Sequence, residues 1–432
     1  MNPYTLSPLD GRYWEHTQKL AEYFSEYAYI KYRIKVEIDY IKAVCAVLKK
    51  PDPKFTWGSK LDLTAIDIAW IKNKEAITKH DVKAIEYFVK EHIDPDSKEF
   101  VHFGLTSQDV NSVAVSCMLM DWLRKEYLPK IQELINTLYD LGQEYEDIPM
   151  LARTHGQPAT PTRLGKEFYV YASRLHLQWE KLGSIKLTAK FGGATGGLNA
   201  HYVAYPHIDW VEFAKTFIES YGLVRSTWTT QVDHNDLMAE LFDGLRRINI
   251  ILLDMCKDLW RYISMDYFKL KTVQTEVGSS AMPHKVNPID FENAEGNLGI
   301  ANALLSHFSE KLPISRLQRD LSDSTVMRNF GVPVGHIHVA LNSIIKGIGK
   351  LEVNREVLNS DLENNWQVIT EAIQTILRRE GIVQPYEKLK ELSRGKKVTK
   401  ELLREFINGL NVNKDVREEL LSLTPQNYLG VV

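Results

Sequence analysis

Cysteine is scarce in this chain. Cys45, Cys117 and Cys256 are its only three, set among apolar neighbours at no metal-ligand spacing. That excludes a disulfide framework and reads as buried free thiols in a reducing, cytoplasmic setting. Net charge is equally slight: the formal value of −3 offers no general attraction to nucleic acid or to anionic membranes. No apolar run is long enough to span a bilayer, and the N-terminal residues read as no apolar leader, so neither a membrane span nor a secretory leader is expected. A Walker-type GxxxxGK[ST], a GxGxxG turn between strand and helix, and an HExxH zinc motif are all missing. What remains is a globular chain, 44% hydrophobic and 25% charged. Its 432 residues are long for one core, which sets a prior of about three domain-sized units.

The pattern present is helical almost throughout. From Asp236 to Met265 apolar residues recur at steps of three and four without a proline, which predicts one helix about 45 Å long. Residues 109–145, 162–182, 297–312 and 333–351 show the same period. Their apolar positions cover much of the circumference, so these helices are expected to be buried on several sides, in a long central bundle shared between subunits. Residues 1–107 hold shorter segments broken by Pro51, Pro53, Gly58 and Pro95, and segments shorten again after 352. The expected organisation is an N-terminal helical domain (1–107), a central long-helix domain (108–352) and a C-terminal helical domain (353–432). Strand content is expected to be slight, with a hairpin near 192–202.

Polar interruptions at the ends of the long helices are where chemistry would sit. In FGLTSQDVN (103–111), Thr106 or Ser107 followed by Asp109 has the form of a helix N-cap. ARTHGQPATPT (152–162) places His155 between Thr154 and Gly156; such a histidine is either a surface residue or, in a concave site, a general acid near neutral pH. SRLQRDLSDSTVMR (315–328) spaces Arg319, Ser324 and Arg328 as a solvated charged face or as a phosphate-binding cluster. His80–Asp81 is a helix entry or a hydrogen-bonded site pair. His336 and His338, in an apolar context, read as packing or surface residues. EVGSSAMPHKVNP (276–288), with its glycine, paired serines and two prolines, is too particular for a linker.

That last segment resembles the signature loop of the fumarase/aspartase superfamily, whose members form or cleave C–N or C–O bonds with fumarate as common product. SPLDGRY (7–13), KHDVKAIEYFVKE (79–91), RTHGQPATPT (153–162), TTQ (229–231) and RDLSDSTVMRN (319–329) resemble, in this order, the adenylosuccinate lyase family in its bacterial form. The match runs from residue 7 to near the C-terminus. It implies an all-α, three-domain fold whose central bundle tetramerises, with active sites built from three subunits. It implies β-elimination of fumarate from adenylosuccinate and from SAICAR, with small-molecule nucleotides as partners and no metal or organic cofactor.

Residue by residue, the resemblance assigns Ser279 as general base, assisted by Lys285, which stabilises the alkoxide and the developing carboxylate charge. His155 becomes the general acid on the leaving nitrogen, and Glu292 the acidic partner that orients or charges a site histidine. Arg12, Tyr13, Arg319, Ser324 and Arg328 match nucleotide-phosphate contacts. Thr106, Ser107, Thr154, Gln231, Lys285 and Asn287 match positions around the succinyl carboxylates, and His80, Asp81 and Asn293 match further substrate contacts. After Gln231 the chain reads VDHND where the bacterial members have Pro-His-Asp, so His234 and Asn235 are not carried over. Fumarase, aspartase and argininosuccinate lyase act on substrates without a 5′-phosphate, which the Arg319/Ser324/Arg328 cluster and Arg12–Tyr13 argue against. A non-catalytic helical scaffold is expected to have lost the serine, lysine or histidine, and all are present.

Overall fold

The computed structural model describes residues 4–57, 62–271, 282, 285–393 and 398–431. Helices dominate, as the periodicity predicts. The longest is Asp236–Ser264, 29 residues, ending one residue before the expected boundary. Leu164–Ser184, Ile289–Lys311 and Gly331–Ile348 match the other long segments. The expected helix over 109–145 is interrupted. Ser107–Trp122 and Leu128–Glu144 are joined by a π-helical turn, Leu123–Tyr127, which carries the fully buried Tyr127.

Strands are confined to two-stranded pairs among the described residues. No hairpin forms near 192–202. That stretch is a tight coil leading into a short helix, Asn199–Ala204. Its glycines serve a tight turn, closed by the Gly196 N–H donating to the Gly193 carbonyl oxygen at 3.3 Å, and close approach: a Cβ on Gly192 would stand 2.6 Å from the Gly196 carbonyl oxygen, and one on Gly196 2.6 Å from that of Thr229.

The contacts group into two compact units, each discontinuous in sequence. The first comprises residues 1–132, 177–253 and 293–343; the second comprises 133–176, 254–292 and 344–432. In the first unit, Glu26–Val47 is capped by Ser25, whose side chain accepts from the Ala28 N–H at 3.2 Å. Its apolar stripe of Ile30, Ile34, Ile38 and Ile41 packs on Ala84, Ile85, Phe88 and Val89 of the Asp81–Glu91 helix. A capping box at Thr64 and Asp67 starts the neighbouring Ala65–Thr78 helix. That helix stops at Lys79 in the left-handed region (φ 55°), and His80 caps the helix that follows. His336 and His338 prove to be packing residues of this unit: His336 Nδ1 lies 2.8 Å from Asn297 Oδ1, and His338 Nε2 accepts from Trp122 Nε1 at 3.2 Å.

The second unit buries Leu362, Trp366, Ile373, Leu377, Leu403, Ile407 and Leu420 around Leu151. Trp366 opens the short 3-10 helix Trp366–Ile369, and the other six residues packed around Leu151 come from the amphipathic helices Arg355–Glu363, Thr370–Arg379, Lys400–Asn408 and Lys414–Ser422.

Candidate active site

Eight of the matched positions converge on one cavity of about 550 Å³ in the first unit. The sequence scatters them from His80 to Arg328, and helix ends gather them. His80 and Asp81 open the Asp81–Glu91 helix. Thr106 and Ser107 open Ser107–Trp122, where Thr106 and Asp109 form a reciprocal capping box. The cap and the cavity-facing position are therefore one feature: a helix N-terminus brings its first turn to the cavity beside two hydroxyls. Ser324 lies in the six-residue helix Ser322–Met327, with Arg319 before it and Arg328 after it. Gln231 completes the set.

The lining is cationic overall, with Arg33, Lys79, Arg319 and Arg328 set against Glu75 and Asp81. Arg319 NH1 donates to Gln231 Oε1 at 3.3 Å, and the Gln108 carboxamide, turned oxygen-first, accepts from both of its terminal nitrogens at 2.6 and 2.8 Å. These bonds aim the guanidinium without neutralising it. Arg328 is held differently. Its NH2 donates to Asp81 Oδ2 at 2.8 Å and its NH1 to Glu26 Oε2 at 3.3 Å.

Asp81 also takes a 3.1 Å ion pair from Arg33. Burial alone pushes the Asp81 carboxyl up, but Arg33, the Val82 N–H and Arg328 outweigh it and hold the group below the usual aspartate range. His80 Nδ1 accepts from the Lys83 N–H at 3.1 Å, so the neutral ring carries its proton on Nε2, 3.4 Å from Ser107 Oγ.

Arg12, Tyr13 and Asn293 form a second group in the same unit and are not among that cavity's lining residues. Asn293 Nδ2 donates to the Tyr13 hydroxyl at 3.2 Å, Ser343 Oγ donates to Asn293 Oδ1 at 2.9 Å, and the Arg12 guanidinium lies 5.9 Å from the Tyr13 ring centre.

The second unit carries Thr154, His155, Lys285, Asn287 and Glu292. Arg153–Thr154 pairs with Gln157–Pro158, leaving His155 (φ 53°) and Gly156 (φ 77°) as a two-residue hairpin turn. Two positive φ values are what such a turn requires, and they display the imidazole at an exposed tip. Arg153 anchors the hairpin through a 2.7 Å bond to Asp361. Lys285 is exposed, and Lys285 and Asn287 precede the Ile289–Lys311 helix. Glu292, in its first turn, accepts from the Trp260 indole N–H at 3.0 Å. Ser279 lies outside the described residues.

Sequence reasoning passed over Arg33, Gln108 and Asn111, all of which line the cavity. Arg33 is only 4% exposed, and its Nε donates to Asn111 Oδ1 at 2.8 Å. The available signal was a charge set between Ile30 and Ile34, inside an apolar stripe. His234 and Asn235, excluded from the site, have local partners: His234 Nε2 lies 2.6 Å from the Trp228 carbonyl oxygen, and buried Asn235 donates to that of Leu312 at 3.3 Å.

Solved structures of the same architecture include a fumarate lyase from Mesorhizobium sp. BNC1 (TM-score 0.72, 18% identity, 96% of this chain and 95% of that one). Another is the 3-carboxy-cis,cis-muconate lactonizing enzyme from Pseudomonas putida (TM-score 0.70, 21% identity, 96% of each chain). Residues 11–302 match the Lyase family, so the chain is a lyase of the fumarase/aspartase superfamily. Residues 315–429 match the adenylosuccinate lyase C-terminal family. The chain is 50% identical to the adenylosuccinate lyase of Dictyostelium discoideum over 99% of its own length and 96% of the relative's. Against that of Escherichia coli K12 it is 46% identical over 98% and 96%. It belongs to the adenylosuccinate lyase family of carbon–nitrogen lyases, enzymes acting on small molecules. Among the described residues no helix is long and apolar enough to cross a membrane.

Proposed function

We propose that the chain releases fumarate from adenylosuccinate, leaving AMP, and from SAICAR, leaving AICAR. The observation that supports this best is the shared cavity: Arg319, Ser324 and Arg328, suited to a phosphate dianion, face the same space as Thr106, Ser107 and Gln231, suited to carboxylates. Arg12 and Tyr13 add to the phosphate contacts, and Thr154, Lys285 and Asn287 to the carboxylate contacts. His80, Asp81 and Asn293 make further contacts with the substrate.

Ser279 removes a proton from the carbon beside a carboxylate. The electron pair left behind becomes the C=C bond of fumarate as the C–N bond breaks, and His155 protonates the departing nitrogen. A serine hydroxyl is a weak base, and the carbanion adds charge next to an existing carboxylate. Lys285 and Asn287 stabilise both species, and they do so most strongly where water is excluded. Glu292 serves as the acidic partner of a site histidine when the protein is assembled. The resemblance assigns the complete site to three subunits of a homotetramer with no cofactor; the segment pattern supports domains at 1–107, 108–352 and 353–432, the slight net charge argues against a nucleic-acid partner, and the scarce cysteines suit a cytoplasmic setting.

The test is a substrate panel followed by fumarate release. Adenylosuccinate and SAICAR are expected to turn over, while argininosuccinate, malate and aspartate are not. Preferential turnover of one of the latter three assigns a different lyase activity, and inertness toward all five indicates a scaffold.

A further inference from the structure

Asp109 does far more than a helix cap requires. Its Oδ2 accepts from the Thr106 N–H at 2.8 Å, which is all that the capping box asks of its side chain. Its Oδ1 takes a 2.6 Å bond from Lys190 Nζ and a 2.8 Å bond from the Gly192 N–H. The Gly193 N–H bridges both oxygens at 3.2 and 3.1 Å. Both side chains of the ion pair are fully buried. Lys190 returns to the same loop through the Gly193 carbonyl oxygen, and its own N–H is fixed by Ser112 Oγ at 2.9 Å. The loop then continues to Ala194, whose carbonyl oxygen accepts from Gln231 Nε2 at 3.0 Å.

One carboxylate therefore joins two segments distant in sequence that hold cavity-lining residues: the helix N-terminus bearing Thr106 and Ser107, and the glycine coil against which Gln231 is braced. Burying an ion pair is a poor route to stability, since a pair of apolar groups often does as well. Its advantage is geometric: a charge with every lone pair engaged tolerates one arrangement of its donors.

We propose that Asp109 and Lys190 are positioning residues for the reaction, setting the spacing between Thr106–Ser107 and Gln231 so that the three grip the succinyl carboxylates together. This rests on the reading that those three contact the succinyl group. AMP lacks that group, so the two ligands separate positioning from general stability.

The experiment uses the assembled enzyme carrying Asp109→Asn together with Lys190→Met, a neutral combination that leaves no buried charge alone. In the folded double variant, KM for adenylosuccinate is expected to rise and kcat to fall by about tenfold or more each, while Kd for AMP stays within about twofold. Wild-type behaviour toward both ligands, or equal weakening toward both, overturns the proposal. If the double variant fails to assemble, Ser112→Ala loosens the same loop and is expected to shift adenylosuccinate alone in the same direction. An equal effect of Ser112→Ala on both ligands, or none, overturns it too. Thr106→Ala and Gln231→Ala, measured alongside, isolate the underlying reading. If they weaken adenylosuccinate while the double variant does not, positioning fails and the succinyl assignment stands. If they leave adenylosuccinate unaffected, the succinyl assignment itself fails, and the proposal with it.

Discussion

Arg328 NH2 lies 2.8 Å from Asp81 Oδ2, so a guanidinium that reads as a phosphate ligand is paired with a carboxylate of the protein itself. Glu26 holds its other arm at 3.3 Å. A phosphate dianion entering the cavity must compete with both. Arg33 remains on Asp81 at 3.1 Å and keeps that carboxylate compensated if Arg328 turns away. Arg328→Ala is therefore expected to raise KM for adenylosuccinate about 10- to 100-fold with kcat little changed, because a phosphate contact binds ground and transition states alike. Steady-state kinetics check this. An unchanged KM removes Arg328 from the site.

Gly104 sits at φ 69°, two residues before Thr106, and a Cβ there would stand 2.7 Å from His201 Cε1. The imidazole cannot retreat: His201 is fully buried and its Nε2 lies 2.9 Å from the Tyr40 hydroxyl. Gly104→Ala is expected to cost about 1–2 kcal/mol from the left-handed backbone alone, with the ring contact adding to that. Chemical denaturation measures it, and an unchanged midpoint contradicts the packing described.

His102 Nδ1 lies 2.5 Å from Glu37 Oε1, and the Glu37 carboxylate is fully buried. Burial alone lowers the His102 pKa, yet Glu37 and the nearby Glu86 and Asp109 outweigh it and raise it above 6.5. A raised histidine pKa contributes stability that is complete below the unfolded-state value near 6.5 and lost as pH climbs through the folded-state value. His102→Asn, chosen because asparagine tolerates the left-handed backbone at φ 58°, should lower Tm most below pH 6.5 and progressively less above it. A Tm difference that grows with pH contradicts the pairing.

Ser279→Ala is expected to lower kcat by about 100- to 10,000-fold while leaving adenylosuccinate binding largely intact. His155→Gln should lose the same step. Mixing the two inactive variants after verified subunit exchange should restore part of the activity, since some sites would then combine the wild-type serine of one subunit with the wild-type histidine of another. No recovery contradicts sites shared between subunits.

The long helices were legible because they bury apolar residues with a period that survives in one dimension. Asp236–Ser264 was placed within one residue at its C-terminal end. The π turn at Leu123–Tyr127 was not, since it keeps the apolar pattern while shifting the register of one turn. The 192–202 coil was misread because glycines used for backbone approach look the same as glycines used to reverse a hairpin. In the site, motif matches found Thr106, Ser107, Gln231, Arg319, Ser324 and Arg328, which line one cavity. The groups that hold them escaped: Lys190 meets Asp109 across 81 residues and Arg33 meets Asn111 across 78, and no local spacing encodes such pairs.

The most direct measurement compares wild-type turnover of adenylosuccinate with that of the corresponding nucleoside, identical except for the missing 5′-phosphate. With three guanidinium groups, those of Arg12, Arg319 and Arg328, assigned to that phosphate, kcat/KM for adenylosuccinate should exceed that for the nucleoside by at least about 100-fold, with AMP and fumarate formed in equal amounts. Equal kcat/KM for the two, or no fumarate from adenylosuccinate, would contradict the account.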